Sequence, residues 1–560
     1  MPSQSPIQRM LHTLSKHPYL CVIVSCVLLM PFGLCQKSNL GIGSLFYVGV
    51  VCAVLGGIFV FAVDIGKSAA QKVGAFIGII AYGAMSLLLL QSTEYSSAVM
   101  LVMPLLLLTV AAIWLYLNKA LSSRSLVMLM IAAGILLRFI YVLYTASDMR
   151  QHDVGYWNWT WGHANYIEYW YHNGLTLPDF DVRTIWQYYH PPLHHWIMAL
   201  LLRFYAMIGI DYDLATQGLQ FLPLLYSSLI MVVCYRIFRF VKLKGAPLVV
   251  AMMFLCFHPT FVLMAGFFNN DILSVLFMLS AMLWALRWYR APRWKNILPI
   301  ALCVGLGMMT KLSAWMVAPA IAVIFVYILV KNIRRPWGYL AQFLGFGAIC
   351  APLALWWQVR NLILFDVPLT YVPYLGEQNN QYLGNMSVLH RLFFFGDGQL
   401  SYVFDAFTDY GAPYNEFNPH LGLIKTALFE EGHNGLSTVN FPQLSAIGPM
   451  LFWIAVPLFL LMFALFFLSM FSKKTRLDGI VRVFFVAVYV VILVAYYIFC
   501  FQFPFTCTMN IRYAVPLIPL SAMGMGLMLQ ATRSKTLRAV AYTLTGAFCS
   551  ASAVMFTMVG

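Results

Sequence analysis

The sequence predicts an all-α polytopic membrane protein of about 15 transmembrane helices, and three observations carry that prediction. Hydrophobic residues make up 62% and charged residues only 9% of its 560 positions, with a mean hydropathy of +0.80. A soluble chain carries about 25% charged residues. Apolar runs long enough to cross a bilayer as helices recur along the chain. The basic residues gather in short clusters between those runs, so the net charge of +15 reads as a set of orientation signals, not a nucleic-acid surface. The 11 cysteines lie mostly inside apolar runs with no CxxC spacing, as core residues do.

Taken in order, a short polar tail over 1–17 precedes apolar runs near 18–34, 42–63, 73–90 and 98–117. The first is followed by others of its kind and reads as a span, not a cleaved signal. These four form an N-terminal module, 1–124, to which no chemistry attaches. A fifth run, near 125–146, carries Arg138 at a depth where a cation is costly, which marks it as a structural partner or as a substrate-binding residue. Further spans read near 217–236, 246–264, 270–287, 296–310, 313–330 and 338–357. Four more close the chain near 447–469, 481–500, 514–531 and 539–558. Two long polar segments, 147–216 and 365–446, interrupt the series.

Charge fixes the orientation, provided that Leu193–Ile210 lies along the membrane surface as an amphipathic helix. Clusters such as Lys119/Arg124, Arg236/Arg239/Lys242/Lys244 and Lys473/Lys474/Arg476 then share one side, with 24 of the 34 Lys and Arg. Nine fall on the other side, and Arg138 stays in the membrane. The basic side is the cytoplasm. The N-terminus is then inside, and both polar segments are outside with 17 of the 19 acids.

The stretch Asp148–Trp196 organises the chain. It holds six of the 12 histidines and five of the acids, interleaved with Trp and Tyr. Proton-transferring groups are scarce here, so their clustering marks the candidate chemistry. His190 and His194 are four apart beside Pro191-Pro192, which is compatible with one helix face and with zinc. No acid or Cys at ligand spacing accompanies them, however, and hydrogen bonding to substrate is the preferred reading. Asp271, after Asn269-Asn270, reads either as a ligand of sugar or cation or as plain turn chemistry. Glu430, Glu431 and His433 read as surface residues or as site residues.

Several of these pieces resemble a known family: HDVG at 152–155, GHANYIEYWYHNG at 162–174, YHPPLHHWI at 189–197, FFNNDILS at 267–274, MMTKLSAW at 308–315 and RYAVPLIP at 512–519. In order and placement they are similar to the GT-C superfamily of polyprenyl-phosphate-sugar-dependent glycosyltransferases. The closest likeness is to the protein O-mannosyltransferases and lipid A aminoarabinose transferases. The resemblance covers 125–364 well and the final spans loosely.

It implies a GT-C-like core over 125–364 with a catalytic outer loop, a second outer loop over 365–446 that covers the cavity and meets the acceptor, and a C-terminal bundle over 447–560. It also implies transfer of one sugar from a polyprenyl-phosphate donor to a hydroxyl of a protein, glycolipid or cell-wall polymer. The expected setting is the extracytoplasmic face of a bacterial plasma membrane. Asp153 is the expected general base, inverting the anomeric centre in one step. His163, Glu168, His190, His194, Asp271, Lys311, Arg360, Arg512, Tyr513 and Arg138 are the expected substrate-binding residues. No cofactor is firmly implied, and a divalent cation stays open. The family's acid pair is missing, because Asp153 has no adjacent Glu. The competing reading is a transporter or flippase, which would place ionisable groups at mid-membrane or break helices in matched halves.

Overall fold

The computed structural model describes residues 16–37, scattered positions between 105 and 119, and residues 121–557 except 156, 158–159, 397–398, 405–415 and 432–443. Secondary structure among these is helical, apart from one isolated antiparallel bridge between Tyr382 and Phe505. The helices are α1 (Pro18–Lys37), α2 (Ser123–Leu143), α3 (Gly162–Asn173), α4 (Leu193–Met207), α5 (Tyr212–Gly218), α6 (Phe221–Phe240), α7 (Gly245–Phe257), α8 (Pro259–Leu263) and α9 (Asp271–Arg290). There follow α10 (Trp294–Thr310), α11 (Ala318–Lys331), α12 (Trp337–Phe365), α13 (Val388–Phe393), α14 (Pro419–Phe429), α15 (Leu444–Phe471), α16 (Gly479–Gln502), α17 (Leu517–Ala531) and α18 (Lys535–Thr557).

Eight helices are long and apolar enough to span a membrane, and four shorter apolar ones join them. Each coincides with an expected span. The remaining expected spans, near 42–63, 73–90 and 98–117, lie outside the described residues but for isolated helical positions. The figure of 15 therefore rests on sequence alone.

Lipid offers apolar side chains no hydrophobic reward for leaving it, so spans associate through close packing and internal hydrogen bonds. Gly524 of α17 shows the packing: a Cβ there would stand 2.4 Å from the Phe466 backbone of α15. Arg138 shows the hydrogen bonding. Pro259 has no N–H for the Leu255 carbonyl, and His258 turns the chain to an extended conformation (φ −70°, ψ 126°) between α7 and α8. The Arg138 guanidinium donates to Leu255 O at 3.3 Å and Cys256 O at 2.8 Å, and also to Gly134 O and Ser227 Oγ. The expected substrate-binding role is thus corrected: Arg138 is fully buried and patches a proline break.

Helices α3, α4 and α5 form a second, smaller core against Phe268, Trp357 and Val367. Along α4, His194, His195, Met198, Ala199, Leu202 and Tyr205 make the buried stripe, while Leu200, Phe204 and Met207 stay exposed.

Candidate functional site

Asp153 is placed by its own backbone. It sits in the left-handed region (φ +54°), where Asp is tolerated better than most residues. Its carbonyl accepts from His163 N at 3.1 Å, and the Val154 carbonyl accepts from Ala164 N at 2.9 Å, tying the HDVG loop to the start of α3. Gly162 (φ +95°) makes this approach feasible, since a Cβ there would lie 2.3 Å from Val154 O.

The second carboxylate, Asp271, opens α9, where the helix dipole favours an acid. The neighbouring Asn270 donates to Thr310 O at 2.8 Å, joining the start of α9 to the end of α10 and bringing Lys311 onto Asp271. Arg512 arrives from a 3-10 turn, Ile511–Tyr513, and its Nη1 lies 3.2 Å from the other Asp271 oxygen. Asn510 fixes that turn. Its side-chain oxygen accepts from Arg512 N, and its amide donates to Glu430 at 2.5 Å and Glu431 at 3.0 Å.

These residues meet at a cavity of about 600 Å³. Asp153, His163, His190, Asp271, Lys311 and Arg512 line it, together with the apolar Leu312, Trp315, Met316, Val494, Ile498 and Phe499. Trp315, Val494 and Ile498 are exposed, so part of this apolar lining reaches the outer surface of spanning helices. A second cavity of about 440 Å³ adjoins the first. Asp153, Tyr189 and Tyr513 line both.

Of the nine Lys and Arg assigned to the outer side, Lys311 and Arg512 line the first cavity, and Arg512 Nη2 finds no hydrogen-bond partner among the described residues. The others bond elsewhere: Lys37 to Gln220, Arg150 to Tyr144 O, Arg183 to Asp181, Arg203 to Tyr171 O, Arg360 to Pro178 O, Arg391 to Phe417 O and Lys425 to Glu416.

Electrostatics separates the acids. Burial alone would raise the Asp153 carboxyl, but His152 and Arg512 outweigh it and hold the group well below the usual carboxylate range. Burial pushes Glu430 up to about 7, against the opposing pull of Arg512 and His152, and raises Glu431 as well. Burial and Arg512 work against a charged His152, yet the carboxylates of Asp153 and Glu431 lift it above the ordinary value. Burial keeps His163 and His190 neutral, at about 3 for His190. His163 stacks between His190 and His195, with Nδ1 2.8 Å from His195 Nε2.

The structure thus gathers Asp153, His163, His190, Asp271, Lys311, Arg512 and Tyr513 around one cavity. The other candidates stand outside its lining. Glu168 accepts from Tyr212 Oη at 2.5 Å, His194 Nε2 lies 2.7 Å from Phe268 O, and Arg360 also donates to Asn361. His190 and His194 do not share a site; His195 is the histidine that reaches His163.

Glu430 and Glu431 are buried and belong to the site, with His152 linking them to Asp153. Two acids that directly follow α14 thus lie near Asp153, on the far side of His152. One atom each from His152, Glu430 and Glu431 lies within 4.8 Å of the others, a set able to hold a divalent cation. The Arg512 guanidinium, 3.7 Å from Glu430, and the Asn510 amide already serve those carboxylates and compete with such an ion. His433 lies outside the described residues.

Residues 189–356, less than half of the chain, match the family described as dolichyl-phosphate-mannose-protein mannosyltransferase. No curated protein sequence matches. Among solved structures, the chain is similar to the apo oligosaccharyltransferase of Archaeoglobus fulgidus, with 14% identity, a TM-score of 0.42, and coverage of 77% of this chain and 55% of that one. It is also similar to the same organism's oligosaccharyltransferase with an inhibitory peptide and a dolichol-phosphate, with 14% identity, a TM-score of 0.40, and coverage of 76% and 55%. The chain spans about half the length of these structures. The matched stretch includes the segments carrying His190, Asp271 and Lys311, as the motifs indicated, and over that stretch the chain is similar to the dolichyl-phosphate-mannose-protein mannosyltransferases.

Proposed function

We propose that the protein is a glycosyltransferase that moves one sugar from a polyprenyl-phosphate carrier to an acceptor hydroxyl on the extracytoplasmic face. One observation carries the reading: a single cavity is lined both by the cations Lys311 and Arg512 and by apolar side chains, of which Trp315, Val494 and Ile498 are exposed on spanning helices. A phosphate head with a long hydrocarbon tail has that shape and chemistry. A transporter or flippase would need its charged groups along a path through the membrane, whereas these gather at helix ends.

The acceptor oxygen attacks the anomeric carbon from the face opposite the phosphate, and its proton passes to the Asp153 carboxylate as the C–O bond forms. The bond to the phosphate oxygen breaks with its electron pair, and Lys311 and Arg512 take up the developing charge. Asp271 holds both cations in place, and inversion follows from the single displacement. Asp153 has the required properties: it is ionised, and about a third of its side-chain surface (35%) remains open.

The test is sugar transfer by purified protein in detergent, wild type beside Asp153→Asn. A panel of radiolabelled short-chain polyprenyl-phosphate sugars is offered with water and membrane extract as acceptors. Turnover of one donor that disappears in the folded variant supports the reading. Turnover undiminished in the variant removes Asp153 from the role of base, and no turnover together with no donor binding overturns the reading.

A further inference from the structure

The second cavity has a lining chemistry unlike the first. Trp161, Trp186, Tyr189 and Phe505 supply aromatic walls, and Asn379 and Gln381 supply neutral amides. Neither lysine nor arginine lines it among the described residues. Between positions 366 and 446 the sequence holds only two cations, Arg391 and Lys425. Both are spent inside the protein. Arg391 is buried, with its guanidinium on Phe417 O and over the Phe501 ring at 4.9 Å, and Lys425 is buried against Glu416 at 2.5 Å. The charge that does face this cavity is the Asp153 carboxylate, with His152 beside it.

We infer that the second cavity is the acceptor site and that its acceptor is a neutral carbohydrate, a glycan hydroxyl presented between aromatic rings. This rests on the glycosyltransferase reading above and specifies its substrate. A phosphorylated lipid would meet Asp153 with no cation but His152, which already faces Asp153, Glu430 and Glu431, and like charges at short range in a partly enclosed site repel strongly. A sugar ring has apolar C–H faces for the indoles and hydroxyls for the amides, the pairing that aromatic walls with a few polar groups provide. Asp153 lines both cavities, so a hydroxyl held in the second can give up its proton while attacking a sugar held in the first.

The experiment uses the full-length protein in nanodiscs with the radiolabelled donor panel and three acceptor pools: neutral glycolipids, phosphorylated glycolipids, and peptides rich in Ser and Thr. The expected result is label in the neutral glycolipid pool. Trp186→Ala should then raise the acceptor KM about tenfold or more with a donor KM within about twofold of wild type, and Trp186→Phe should recover most of the loss, since one good contact is worth about that factor. Label in the phosphorylated pool, in peptide, or in water alone overturns the inference while leaving donor use intact. Absence of turnover with every acceptor, water included, overturns the glycosyltransferase reading and this inference with it.

Discussion

His152 Nε2 lies 3.2 Å from the Asp153 carboxylate, while its Nδ1 faces Glu431 at 3.5 Å and Glu430 at 3.8 Å. One imidazole therefore joins the proposed base to a buried acid pair 277 residues further along the chain. With Arg512, a charged His152 keeps Asp153 ionised. Removing it in His152→Gln should raise the Asp153 pKa. The acidic limb of the kcat/KM profile should then move to higher pH by about one unit, the lower end of what one close charge provides. An unmoved limb would separate His152 from the base.

Asp153→Asn should lower transfer by about 10²- to 10⁴-fold, the usual contribution of a positioned general base. Asp153→Glu should be nearly as weak. The longer side chain displaces the carboxylate, and Glu is a poorer fit to the φ of +54° at this position. Steady-state rates with folding checked by thermal melt decide both.

Lys311→Met and Arg512→Gln should each cost about 10²- to 10³-fold in kcat if they stabilise the leaving phosphate. Each variant also leaves Asp271 with one partner instead of two. Activity within twofold of wild type in either variant would count against a role for this cation pair.

Glu430, pushed up to about 7 by burial, binds its proton more tightly folded than unfolded. Its contribution to stability is complete below the ordinary glutamate range and fades as pH rises through about 7. Glu430→Gln should therefore flatten the fall in Tm between pH 5 and pH 8 (about the window spanned by the two states). With Arg512 and Asn510 already serving the pair, a chelator should leave activity unchanged. Metal retained at one ion per chain and required for turnover would assign His152, Glu430 and Glu431 to it instead.

Arg138→Leu should destabilise the protein by about 2–4 kcal/mol, through carbonyls left without donors at the Pro259 break. Activity per folded molecule should persist. Loss of turnover at unchanged Tm would return Arg138 to the substrate.

The spanning helices follow from the residues alone, because an apolar run of bilayer length has no other low-energy state in lipid. The sequence also marked Asp153, His163, His190, Asp271, Lys311 and Arg512, whose types stand out in a chain with so few ionisable groups. Which groups share a cavity and which are consumed as scaffolding depends on how the helices and loops pack. Arg138 and Arg360 resemble Lys311 and Arg512 as isolated cations near span ends or within spans. The first two are taken up by backbone carbonyls, and the last two by a carboxylate that lines the cavity. Glu430 and Glu431 look like loop surface until α14 and the Asn510 turn carry them behind His152. Hydrogen-bond satisfaction is settled by neighbours distant in sequence, and that is why the pattern of residues could not reveal it.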